Sequence, residues 1–134
     1  ALLAGRARAA EPGATPPVAV KEDSAKWESG YGARFYQVVG TVENQGKAPI
    51  GAVKIRIDLQ DDGGKTVAQG TCWNGAAESL ADASDDAAKA AVAAGKVKPI
   101  AAGGSDKWRC TFLDEDVPKF SQHARAVALV IPAP

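Results

Sequence analysis

Residues 36–69 read YQVVGTVENQGKAPIGAVKIRIDLQDDGGKTVAQ, and this stretch decides the fold. Val53, Ile55, Ile57 and Leu59 alternate with Lys54, Arg56 and Asp58. Apolar and polar residues in strict alternation make a strand with one buried and one wetted face. Tyr36, Val38, Gly40 and Val42 alternate with Gln37, Val39, Thr41 and Glu43 in a weaker version of the same pattern. Between the two runs lie the turn formers Asn44-Gln45-Gly46-Lys47-Ala48-Pro49. Pro49 cannot donate to a ladder, so the next strand begins after it. Asp61-Asp62-Gly63-Gly64 is a hairpin signal, because glycine accepts a positive φ without a Cβ clash. Thr66 to Trp73 is then the returning strand, which completes three antiparallel strands and two turns.

Working outward, Val18 to Lys21 is a first strand at an edge, and Glu22-Asp23-Ser24 breaks its pattern. Ser29-Gly30-Tyr31-Gly32 is a turn, and the next strand runs from Phe35. On the far side, Ser84 suits a helix N-cap, Asp85 and Asp86 suit the positive end of a helix dipole, and Gly95 suits the position after the helix. The spacing predicts a helix of about ten residues whose apolar face is mostly alanine, marginal on its own, inserted across one end of the sheets. Lys96 to Ile100 reads as a short strand. Lys107 to Leu113 alternates with Trp108, Cys110 and Phe112 on one face, and His123 to Ile131 closes the chain with Val127, Leu129 and Ile131 as its core face. Short strands separated by turn signals predict an all-β, antiparallel β-sandwich with a short helical insertion.

The chain has 134 residues, the size of one domain. Its 16 basic and 16 acidic side chains cancel to a net charge of zero. Nucleic acid and anionic membranes both demand concentrated positive charge, so neither is the expected partner. No run is long enough to span a bilayer. The first residues, with Ala7-Arg8-Ala9 as a processing site, read as the end of a secretory signal; the alternative is an alanine-rich tail without an export role. Glu11 to Pro17 holds three prolines and a glycine and reads as a flexible linker. The expected organisation is therefore 1–17 as signal remnant and Pro-rich segment, and 18–134 as the sandwich.

Cys72 and Cys110 are the two cysteines. An even count in an exported chain predicts one disulfide, closing the loop around the insertion; the alternative is two buried thiols. A zinc pair lacks partners, with one histidine and no C-x-x-C spacing. His123 announces no nucleophile beside it and reads as a strand-end side chain, though a small hydrolase around it is a third possibility to weigh. Asp114, Glu115 and Asp116 lack the spacing of a calcium loop and read as solvated. No catalytic residue, metal or cofactor is expected. Trp73 faces away from Cys72 by alternation, so an exposed indole beside Asn74, with Tyr31 elsewhere, is a possible ligand platform. The alternative is that the helical insertion covers Trp73.

Val39-Gly40-Thr41-Val42-Glu43-Asn44 resembles the G-x-V-x-N strand of FxLYD-type domains. Ile57-Asp58-Leu59-Gln60-Asp61 is similar to their naming motif, and Ala101 to Trp108 to their later proline-glycine-then-aromatic segment, with Trp108 in the aromatic place. The sequence departs from the family at Ile57, Gln60 and Ala102 and through the helical insertion. The resemblance covers roughly residues 18–131. It implies an immunoglobulin-like sandwich of an envelope or secreted protein, without general catalytic activity, and transfers no functional residue. The expectation is a non-enzymatic periplasmic or secreted module that binds another protein in an envelope or extracellular assembly, with edge strands as docking elements and residues 1–17 as an arm that orders on assembly. A carbohydrate-binding module using aromatics near Trp73 is the alternative, with a glycan as ligand.

Overall fold

The computed structural model describes residues 17–134, so the expected signal and arm fall almost wholly outside it. Six strands are named: β1 (Val18–Gly30), β2 (Ala33–Asn44), β3 (Ile50–Gln60), β4 (Thr66–Trp73), β5 (Ser105–Leu113) and β6 (Gln122–Pro132). They form two antiparallel sheets, ordered β1-β2-β5 and β4-β3-β6. This is the order of strands A-B-E and C′-C-F in an immunoglobulin-like sandwich. One α-helix, α1 (Asp85–Ala93), and a 3-10 turn at Gly75–Leu80 lie between β4 and β5. Among the described residues no helix is long and apolar enough to cross a membrane.

The alternating residues of β2, β3 and β5 meet between the sheets. Val38, Val42, Val53, Ile55, Ile57 and Leu59 are fully buried, with Trp108, Cys110 and Phe112 nearly so. Two glycines make room for the large rings. A Cβ on Gly40 would lie 2.5 Å from the Trp108 ring and closer still to the Lys21 carbonyl oxygen. A Cβ on Gly70 would lie 2.5 Å from the Phe112 ring. Gly40 thus makes room for Trp108, its neighbour on β5 in the same sheet, and Gly70 for Phe112 of the opposite sheet.

A second apolar cluster sits on the outer face of the β4-β3-β6 sheet. Ala52, Trp73 and Ile131 meet Ala77 and Leu80 of the 3-10 turn, Ala88 and Val92 of α1, and Val97. Alanines that bury little alone succeed here because they let the helix approach the sheet closely. Ser84 Oγ accepts the Ala87 N–H at 3.1 Å, which caps α1, and Gly95 takes the left-handed φ of +74° that ends it. Lys54 Nζ pairs with Asp85 Oδ1 at 3.1 Å. The insertion thus lies against a sheet face rather than across one end.

Three other expectations are corrected. β1 does not stop at Glu22: a bulge between Glu22 and Ser24 absorbs Asp23, and pairing with β2 continues to Gly30. An extra residue lets a strand bend and resume its ladder. Lys96 to Ile100 forms no strand, only a bridge of Ile100 to Ile50. In β6 a register shift leaves Ala128 unpaired between Val127 and Leu129. Past it, Val130 packs on the main core while Leu129 and Ile131 lie under α1, and Val127 is 39% exposed. One inserted residue reverses which face each later side chain occupies.

Candidate functional site

Trp73 does point away from the core, as alternation requires, but it is only 4% exposed. The helical insertion covers it, and Lys54 Nζ lies 5.7 Å from its ring centroid. What remains exposed of it borders a cleft that Trp108 also lines. Asn74 is fully buried and structural. Its Oδ1 accepts the Val53 N–H at 2.9 Å, and its Nδ2 donates to Asp106 Oδ2 at 2.8 Å. The same carboxylate oxygen accepts the Ala76 N–H at 2.9 Å. Asn74 and Asp106 thus tie the crossing from β4 to the 3-10 turn onto β5, where Asn74 also bridges Trp108.

Cys72 and Cys110 are joined in a disulfide with a Cα–Cα separation of 5.2 Å. Cys72 is on β4 and Cys110 on β5, so the bond links edge strands of opposite sheets. Both cysteines stand on inward-facing positions, opposite Ile55 and Val38 respectively.

The opposite seam, between β1 and β6, is held by polar side chains that periodicity did not connect. Tyr36 Oη lies 3.0 Å from His123 Nδ1, and His123 Nε2 lies 2.8 Å from Glu22 Oε1. Arg125 Nη1 is 3.6 Å from the same Glu22 oxygen, and its Nε donates to the Val20 carbonyl at 3.3 Å. His123 is thus a half-buried bridge between sheets rather than a surface side chain. Burial, with the Glu22 charge adding to it, holds the Tyr36 phenol above its ordinary value, so it stays protonated at neutral pH. The hydrogen bonds of the phenol and the imidazole join the two sheets. Glu22 and His123 lie about 100 residues apart, and only the β1 bulge and the β3–β6 register bring them together.

Tyr31 is set apart from the other named candidates. The β1–β2 hairpin projects past the last β2–β5 pair, Phe35 with Leu113. Tyr31 sits at its tip, fully exposed, with a φ of +54°. A bulky residue in the left-handed region costs roughly 1 kcal/mol that glycine or asparagine would avoid. Behind the tip, Trp27, Tyr36 and Phe120 form an aromatic cluster with ring centroids 4.9–5.6 Å apart. Arg34 stacks 4.2 Å above Trp27 and its Nη1 approaches Asp114 Oδ2 at 3.8 Å. The tip therefore stands on a packed aromatic base. Leu113, 39% exposed, lies at the same end. Tyr31 does not share a site with Trp73: Asn74 bridges at the level of Gly40, seven residues along β2 from Ala33, or roughly 23 Å.

A cleft of 280 Å³ is lined by Trp73 and Trp108 together with Val39, Gly40 and Gly75, and Asp23, Glu78, Lys107 and Arg109 surround it. Its acids and cations balance, and Lys107 Nζ already approaches Asp23 Oδ2 at 3.7 Å. Fold and contacts together define an immunoglobulin-like β-sandwich with one inter-sheet disulfide and an aromatic hairpin tip. Comparison of the chain with protein-family models, with curated proteins and with solved structures found no match.

Proposed function

We propose that this chain is a non-enzymatic binding or scaffold module that works outside the cytoplasm, in the periplasm or as a secreted protein, and engages another protein in an envelope or extracellular assembly. The observation that carries this reading is Tyr31. Its side chain touches nothing that folding requires, yet it occupies a backbone conformation that disfavours it. Tyrosine brings a large, rigid contact surface with a polar tip at low entropic cost, which suits a residue held for a partner. The inter-sheet disulfide supports an oxidising compartment. The resemblance to FxLYD-type domains points the same way. The titratable groups that do meet, Glu22, His123 and Tyr36, are engaged in bracing one sheet against the other.

The test is a photoreactive residue placed at Tyr31 and, as a control, at exposed Lys47 in the turn at the other end of the sandwich. In the cells that make the protein, position 31 is expected to crosslink one defined protein that position 47 does not. Equal labelling from both positions, or none from position 31, overturns the reading.

A further inference from the structure

We propose that the end of the sandwich carrying Tyr31 is a socket for a basic partner: a positively charged protein segment seats one apolar side chain in a cavity behind the hairpin tip. Tyr31 as a partner contact is the reading on which this one rests; the cavity and the charges around it decide what the partner must carry.

Three connections meet at this end: the β1–β2 hairpin, the β3–β4 turn and the β5–β6 loop. Phe120 of the loop has its ring centroid 5.6 Å from that of Trp27, and Gln122 Nε2 donates to the Asp61 carbonyl at 3.0 Å. Between the hairpin and the loop lies a cavity of 360 Å³, within the range of small-ligand pockets. Trp27, Val117, Pro118 and Phe120 are its apolar walls, and Arg34, Asp114 and Lys119 complete it. Trp27, Val117 and Phe120 are half-buried and Pro118 is exposed, so folding leaves part of each wall open. Tyr31 and Leu113, both exposed, lie at the same end. An apolar pocket beside an exposed tyrosine is what an interface anchor fills.

The charges set the sign of the partner. At and beyond the pairs Phe35–Leu113 and Gln60–Gln122 the chain carries Glu28, Asp61, Asp62, Asp114, Glu115 and Asp116. Against these six carboxylates stand three cations, Arg34, Lys65 and Lys119. The chain as a whole is neutral, so the acidic excess is local to this end. Of the six, only Asp114 forms an ion pair among the described residues, and that pair is loose at 3.8 Å. Its partner, Arg34, lies 4.2 Å over the Trp27 ring, a cation held between an aromatic face and a carboxylate. A segment with lysines or arginines on either side of an apolar residue extends that arrangement. Its cations face the carboxylates while its apolar side chain enters between Trp27, Pro118 and Phe120. An acidic segment meets like charge at the same place and loses affinity.

The experiment is titration of the full chain with end-blocked tripeptides, followed by tryptophan fluorescence. Lysine–phenylalanine–lysine is expected to bind in the millimolar range. Lysine–glycine–lysine and glutamate–phenylalanine–glutamate are each expected to bind about tenfold more weakly or worse. Raising the ionic strength from about 0.01 to 0.15 M shortens the Debye length from about 30 to 8 Å, and is expected to weaken the first peptide by about threefold or more. Glu115→Lys is expected to weaken it and Lys119→Glu to tighten it, both at exposed loop positions. Binding indifferent to the peptide's charge or to its phenylalanine overturns the proposal, as does no binding of any of the three at about 10 mM. Glu115→Lys and Lys119→Glu that move affinity the same way overturn it too. Peptide discrimination without a crosslink from position 31 removes the protein contact at Tyr31 and keeps the socket; a crosslink without discrimination removes the socket alone.

Discussion

Gly40→Ala adds one methyl group on β2 between a β1 carbonyl and the Trp108 ring of β5. The new Cβ would lie 2.5 Å from Trp108 Cζ2 and 2.7 Å from Cε2, with the Lys21 carbonyl oxygen nearer still. An ordinary carbon–carbon contact is about 3.5 Å, so the indole must retreat by roughly 1 Å. It has little room to do so: Trp108 is 2% exposed and packs among Val38, Val42 and Ile55. The other obstacle is backbone, which moves only if the β1 ladder shifts. Overpacking of this kind costs about 1–3 kcal/mol and more when backbone must yield. Opposing it, alanine restricts the unfolded chain and returns about 0.4–1 kcal/mol. The net expectation is a loss of about 2–3 kcal/mol, which at this chain length lowers Tm by roughly 6–15 °C. Urea unfolding followed by tryptophan fluorescence measures it, with Gly63→Ala as the control, since its Cβ would find no heavy atom nearer than 3.5 Å. If Gly40→Ala proves as stable as the native chain, the close approach of β1 and the indole over Gly40 is wrong.

Two other perturbations probe the two seams. Replacing Cys72 and Cys110 together by serine opens a loop spanning 38 positions, which the chain-entropy argument values at about 4 kcal/mol; a urea midpoint unchanged by reductant in the native protein would contradict it. For Tyr36, burial first and the Glu22 charge second raise the phenol above its ordinary value of 10.0, so the folded state holds its proton more tightly than the unfolded one. The resulting stability is fully present below pH 10.0 and is lost as pH rises through the folded value. Between about pH 9 and 11 the native chain is therefore expected to lose urea stability faster than Tyr36→Phe, and identical slopes would show that the phenol is not so held.

The strand plan was legible because period two is a local property of residues such as Val53, Ile55, Ile57 and Leu59. The α1 boundaries were legible for the same reason, since Ser84 and Gly95 act within a turn of the helix. The cysteine pairing was expected from an even count and an expected export. Tyr31 could be named from its turn, but not distinguished from Trp73. Both are aromatics beside glycine or asparagine, and only the packing of Ala77, Leu80, Ala88 and Val92 over one of them separates buried from exposed.

The sequence alone determined which residues alternate, where the chain turns and which side chains share a strand face. Tertiary structure decided what each face meets. The bulges at Asp23 and Ala128 leave no period of their own, yet they set the length of β1 and the side each β6 residue takes. The brace of Glu22, His123 and Tyr36 likewise exists only where two edges of opposite sheets come together. Hydrogen-bond ladders propagate a local pattern faithfully, but a single inserted residue or a helix laid on the far face changes its meaning, and neither change is written in the periodicity itself.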